Sequence, residues 1–119
     1  MKKLALVGLF FLLAGCDSQF DAPTGELVYK EVAGGYAIVN NSDGEIFTFI
    51  VEEGLAAVIN WRPGVSIGEG MPPAASQLLT RESLRLKEDE HRVIVNWWHA
   101  ERVDGEWQPG GIGVFVLDF

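Results

Sequence analysis

Ser66 stands in Gly64-Val65-Ser66-Ile67-Gly68, a literal G-x-S-x-G, the spacing of a nucleophile elbow that exposes a serine hydroxyl on a strained strand-to-helix turn. The residues that follow, Glu69-Gly70-Met71-Pro72-Pro73, cannot continue as the supporting helix, so Ser66 reads as a loop residue. The two histidines, His91 and His99, lie eight residues apart in one apolar run. On a strand that is about 26 Å at ~3.3 Å per residue, too far to share a metal ion. His99 and Glu101 fall on one strand face about 7 Å apart, half of an acid/base pair or of a metal site. No further histidine or cysteine is close in sequence to complete either, so a surface or cross-strand contact is expected. Glu52-Glu53 and Glu88-Asp89-Glu90 lack the spaced oxygen ligands and central glycine of a calcium loop and read as solvated turns. No metal, cofactor or catalytic residue is expected.

The four tryptophans carry more. Trp97 and Trp98 are adjacent, so on a strand they point to opposite faces and cannot both enter one two-layer core. One of them must lie at the surface, under a loop or at an interface. Trp61 opens a stretch rich in glycine and proline, and Trp107 follows the Asp104-Gly105 turn signal. Exposed tryptophans serve protein hot spots and sugar stacking alike, so Trp61, Trp98 and Trp107, with His99, form the candidate binding patch.

The elements that must position these residues are strands. Leu27–Val32 alternates weakly and ends at Gly34-Gly35, and Tyr36–Val39 runs into Asn40-Asn41-Ser42-Asp43-Gly44, a composition suited to a hairpin turn. Asn40-Asn41-Ser42 also spells a glycosylation acceptor, for which the turn is explanation enough. Ile46–Val51 is β-branched and aromatic throughout and predicts a core strand; Glu52-Glu53-Gly54 turns the chain and Leu55–Trp61 is expected to return it. Arg62–Ala75, with three glycines and three prolines, is a long loop. Ala74–Arg85 is ambiguous between a short helix after Pro72-Pro73 and a strand centred on Ser83–Leu86, with strand, turn, strand preferred. Arg92–His99 then puts Val93, Val95, Trp97 and His99 on one face and Ile94, Asn96 and Trp98 on the other, and Ile112–Phe119 closes the chain as a strand.

About seven short strands at this spacing predict an all-β, antiparallel β-sandwich. Leu84-Arg85-Leu86, a charged turn over residues 87–90, then Val93-Ile94-Val95 resembles the later strands of bacterial immunoglobulin-like domains, which implies an immunoglobulin-like sandwich. Phe115, Leu117 and Phe119 resemble the closing signal of outer-membrane β-barrel strands, but the chain lacks the length for eight spanning strands of about ten residues each. As a sandwich strand at a sheet edge, the same segment could accept a partner strand.

Ahead of the sandwich, Lys2 and Lys3 precede the apolar run Leu4–Leu13, which is broken only by Gly8. This is the pattern of an export signal, and as a helix it reaches only about half of a bilayer's hydrocarbon. It ends in Leu13-Ala14-Gly15-Cys16, which resembles the lipobox of bacterial lipoprotein precursors. The resemblance implies cleavage before Cys16, diacylglyceryl transfer to its thiol and acylation, including palmitate, at the new terminus. Two or three chains on one residue make detachment negligible, whereas a single chain binds reversibly with a constant of about 10⁴ M⁻¹. Asp17 resembles the inner-membrane retention signal of enteric bacteria. Residues 1–15 are then signal peptide, 16–25 a polar tether able to hold the domain about 30 Å from the acyl chains, and 26–119 the sandwich.

Loss of Lys2 and Lys3 with the signal takes the formal charge from −8 to −10. So acidic a chain is repelled by phosphate backbones, which sets nucleic acid aside as a partner. Acylation of Cys16 removes the one thiol, so stability must come from packing alone. The expected role is a periplasm-facing, lipid-anchored, non-catalytic binding or assembly module that meets another envelope protein. A small-ligand or glycan receptor is the alternative, and a small envelope hydrolase is remote.

Overall fold

The structure is a computed structural model, and residues 26–119 are described. The signal peptide, the lipobox with Cys16, and the tether lie outside the described residues. The fold is an immunoglobulin-like β-sandwich with seven strands among the described residues: β1 Leu27–Val32, β2 Gly35–Asn40, β3 Ile46–Glu52, β4 Ser76–Thr80, β5 Arg92–Val103, β6 Glu106–Pro109 and β7 Gly113–Asp118. Two single-turn helices, α1 Glu53–Ala56 and α2 Arg81–Leu84, punctuate them.

One antiparallel sheet has the order β1-β2-β4, and the other is centred on β5, with β3 on one side and β6 and β7 on the other. Lettered in chain order this is A-B-E against C-F-G, with β6 and β7 as two halves of the last strand. It is the immunoglobulin arrangement without the fourth strand of the first sheet. Leu27, Ile38 and Leu79 from the first sheet and Ile46, Val95, Trp97 and Leu117 from the second meet as the core. Tyr29 stacks on Phe115 with ring centroids 4.6 Å apart, and Tyr36 meets Phe119 edge-on, joining β1 and β2 to the end of β7.

Three segments depart from the sequence reading. Leu55–Trp61 is not a strand: Glu52 caps α1 by accepting from Leu55 N, and Val58 N and Ile59 N both donate to Leu55 O, which coils the chain before it can pair. The second departure is β4, which occupies Ser76–Thr80, ahead of the expected Ser83–Leu86. Thr80 and Ser83 form a reciprocal capping box that turns Arg81–Leu84 into α2, and Arg85 closes it in the left-handed region at φ 56°. Where the sequence allows a helix after Pro72-Pro73 the chain is a strand, and where it suggests a strand at Ser83–Leu86 the chain turns through a helix. The third is Asn40–Gly44, which is no hairpin, because β2 and β3 belong to different sheets and the turn carries the chain between them. Asn40 is buried there with every polar atom engaged: Nδ2 donates to Gly44 O and Met71 O, and Oδ1 accepts from Ser42 N and Oγ.

The Asp104-Gly105 signal performs as read. Both residues have positive φ, 51° and 82°, the combination that a two-residue hairpin between twisted strands requires. β5 outruns its partner: β3 covers it only to His99, and residues 100–103 pair with β6 alone.

Candidate binding surface

The second sheet is apolar on both faces. Register places Phe47 opposite Trp98, Phe49 opposite Asn96 and Val51 opposite Ile94; across β5, Asn96 faces Val114 and Ile94 faces Val116. Cross-strand partners share a face, so these side chains form one panel on the side of the sheet away from the core. Asn96 is the one polar member of these rows, and its Nδ2 donates to Phe49 O, 3.0 Å away. The panel ends in charge, where Arg92 lies 3.3 Å from Glu53 Oε2 and 3.5 Å from Asp118 Oδ1.

Part of this panel is covered by the chain's own long loop. Trp98 is 4% exposed and its Nε1 donates to Gly64 O at 2.8 Å. Trp61 stacks on Trp98 at 5.8 Å and lies 4.5 Å from Phe49 between ring centroids. Glu45 fastens the next turn of the loop, its carboxylate accepting from Gly68 N and Gly70 N at 3.1 and 2.6 Å. Met71 then exchanges two backbone hydrogen bonds with Ile46, and Ala74 N donates to Asn40 O as the loop passes to the first sheet. Trp97 points the other way, into the core, where its indole lies over Gly113; a Cβ there would collide with Trp97 Cε2.

The rest of the panel is open. Val114 is 59% and Val116 37% exposed, and Leu55, Val58 and Ile59 around α1 are exposed as well. A groove of ≈ 790 Å³ runs past the edge of β3, lined by Val51, Leu55, Val58, Ile59, Leu84 and Leu86 among others. Contiguous apolar surface left open in this way often marks an interaction site.

The four candidate patch residues fall into two groups. Trp61 and Trp98 belong to the aromatic stack under the loop, where Trp98 is a packed residue. His99 and Trp107 sit at the projecting hairpin and, with Gly44, Glu45, Ile67 and Ala100, line a small cleft of ≈ 270 Å³. His99 bridges elements: Nδ1 is 3.0 Å from Glu45 O and Nε2 is 2.9 Å from Glu26 Oε1. Trp107 is 48% exposed and the Arg102 guanidinium lies 5.0 Å from its ring centroid.

Ser66 is exposed in a turn closed by Glu69 N donating to Ser66 O, with neither a strand before it nor a helix after it. Among the described residues no three of His, Cys, Asp and Glu cluster as metal ligands, and no helix is long and apolar enough to cross a membrane. Reading the sequence for aromatics missed Val114, Val116 and the α1 apolar residues. The available signal was that the last strand is apolar at both parities, Val114 and Val116 as well as Phe115 and Leu117. A strand with one solvated face alternates with polar residues instead. No family model matches the chain, and no curated protein or solved structure matches it either.

Proposed function

We propose that this chain is a lipid-anchored protein of the bacterial cell envelope, held at a membrane by acyl groups on Cys16, whose sandwich is a non-catalytic binding or assembly module for another envelope protein. The observation that carries the module reading is the partly open apolar panel of the second sheet, which ends at the exposed strand β7. Burying such a surface against a partner removes apolar area from water at about 25 cal/mol per Å². The export signal and lipobox resemblance support the anchor, and Asp17 favours the inner membrane.

Intact mass of the protein purified from its native membrane tests the anchor. A chain beginning at Cys16 with added acyl mass is expected; a free thiol with residues 1–15 retained would refute it. Crosslinking in intact cells, read by the proteins recovered with the chain, tests the module. A second reading, small-ligand or glycan binding, is favoured by Trp107 beside the His99 cleft. Titration of tryptophan fluorescence with cell-wall fragments decides it, since a bound sugar would perturb Trp107 emission.

A further inference from the structure

The position of β7 allows the partner surface to be specified. Phe119 N donates to His91 O, and antiparallel alternation then directs the backbone N–H and C=O of Gly113, Phe115 and Leu117 toward β5. Those of Val114, Val116 and Asp118 point the opposite way, to the edge of the sheet. Asp118 O is already engaged, accepting from Tyr36 Oη at 2.8 Å. Among the described residues no strand pairs with this edge, which leaves Val114 and Val116 with their main-chain groups at it and their side chains on the open panel. Natural edge strands are usually guarded by lysine, proline, a bulge or a covering element. From Gly113 to Leu117 this one has no charge and no proline.

We propose that β7 pairs with β7 of a second copy of this chain across a two-fold axis, joining the two second sheets edge to edge. This rests on the binding-module reading and takes a second copy of this chain as the envelope protein the module meets. A second copy fits because the one register that uses these groups is self-complementary. With Phe115 opposite Phe115 of the copy, Val114 and Val116 each face the other residue in the copy and exchange both main-chain hydrogen bonds. Partners across the seam lie on the same face, so the open panels merge and the valines meet valines. Charge permits it although the chain carries −8, or −10 once Lys2 and Lys3 are cleaved away: the one ionised residue of β7, Asp118, falls opposite Ile112 of the copy and already has Arg92 beside it. The seam joins one short strand from each copy, so the pair is weak in bulk solution. Confinement of both copies to one membrane raises their effective concentration, as a linker does.

The test places a photocrosslinking amino acid at position 114 of the full chain in intact cells. The expected product is an adduct of twice the chain's mass, reduced at least tenfold in Val116→Pro. That substitution removes an N–H aimed at the edge and leaves the β5–β7 ladder its donors, so the thermal melt should move by only a few degrees. Should the proline variant misfold, Val116→Lys places a gatekeeper charge at the same edge and should reduce the adduct likewise. An adduct with a different protein would overturn the two-fold pairing and leave the proposed function standing. No adduct at all would overturn both, and a dimer adduct undiminished in a folded edge variant would overturn the β7 seam.

Discussion

Replacing Trp98 by alanine should cost this domain a large share of its stability, while the same change at Trp107 should cost little. Trp98 is 4% exposed, sandwiched between the sheet and the Trp61 ring, and it donates to Gly64 O; Trp107 is 48% exposed on the projecting hairpin. Truncating a buried tryptophan costs about 3–5 kcal/mol, from lost transfer energy and from the cavity left behind. The hydrogen bond adds at the low end of its usual ~0.5–1.5 kcal/mol, because exposed Gly64 can offer its carbonyl to water instead. Set against a total of about 5–15 kcal/mol, Trp98→Ala removes roughly a quarter of the stability or more. At ~4–8 °C per kcal/mol for a domain of this size, the melting temperature falls by at least about 12 °C. Trp107→Ala stays within about 1 kcal/mol, reflecting its cation–π contact with Arg102 and little else. Urea unfolding of each variant followed by far-ultraviolet circular dichroism gives both numbers. If Trp98→Ala proves as mild as Trp107→Ala, the loop does not clamp that ring, and Trp98 returns to the list of ligand-facing residues.

Gly113→Ala should destabilise by about 1–3 kcal/mol through overpacking, because the new methyl meets the Trp97 indole held in the core; chemical denaturation measures it. Gly105→Ala forces an L-residue to φ 82° and should cost about 1–2 kcal/mol, read as faster amide exchange over residues 100–109 with the remainder of β5 protected. Burial, and secondarily the negative charge of Glu31, raises the Tyr36 pKa above its model-compound 10.0. A raised pKa means the folded state holds its proton more tightly. The resulting stability is complete below pH 10 and is lost as pH rises through the higher folded value. Tyr36→Phe should therefore flatten the alkaline limb of the stability curve, and a curve of unchanged slope would contradict this. Glu45→Gln keeps the shape but turns one of the two accepting oxygens into an NH2 donor, so one of Gly68 N and Gly70 N loses its acceptor, the other keeps a weaker one, and exchange at these amides should rise before any global unfolding.

The sandwich was legible because its signals are local. Ile46–Val51, the alternation through Arg92–His99 and the Asp104-Gly105 turn each state a strand or a hairpin in a few residues. The opposed faces of Trp97 and Trp98 follow from strand geometry alone; which of surface, loop or interface would receive the second ring does not. What could not be read depends on competition between local and distant partners. Leu55–Trp61 is apolar enough for a strand, yet Glu52 caps a helical turn over its first residues. Thr80 and Ser83 recruit each other in a capping box, so the strand falls ahead of it and not after it. The count of about seven held although one expected strand was lost and β6 was gained. At the surface, the aromatic bias drew attention to Trp98, whose polar edge is in fact used to seat Gly64. The edge position of β7 needs the sheet order, and no pattern within Gly113–Asp118 reveals which neighbour the strand lacks.

The entry point of the chain has a mechanical consequence. Glu26 meets His99 at the hairpin end of the sandwich, whereas the Glu53, Arg92 and Asp118 row closes the opposite end. Anything fixed upstream of Glu26 therefore holds the molecule by its hairpin end. Tension between such an attachment and a partner seated along β7 would run nearly parallel to the strands and cross from one sheet to the other. It would load Tyr29 against Phe115 and the Tyr36–Asp118 bond in shear, all at once, instead of peeling contacts one by one.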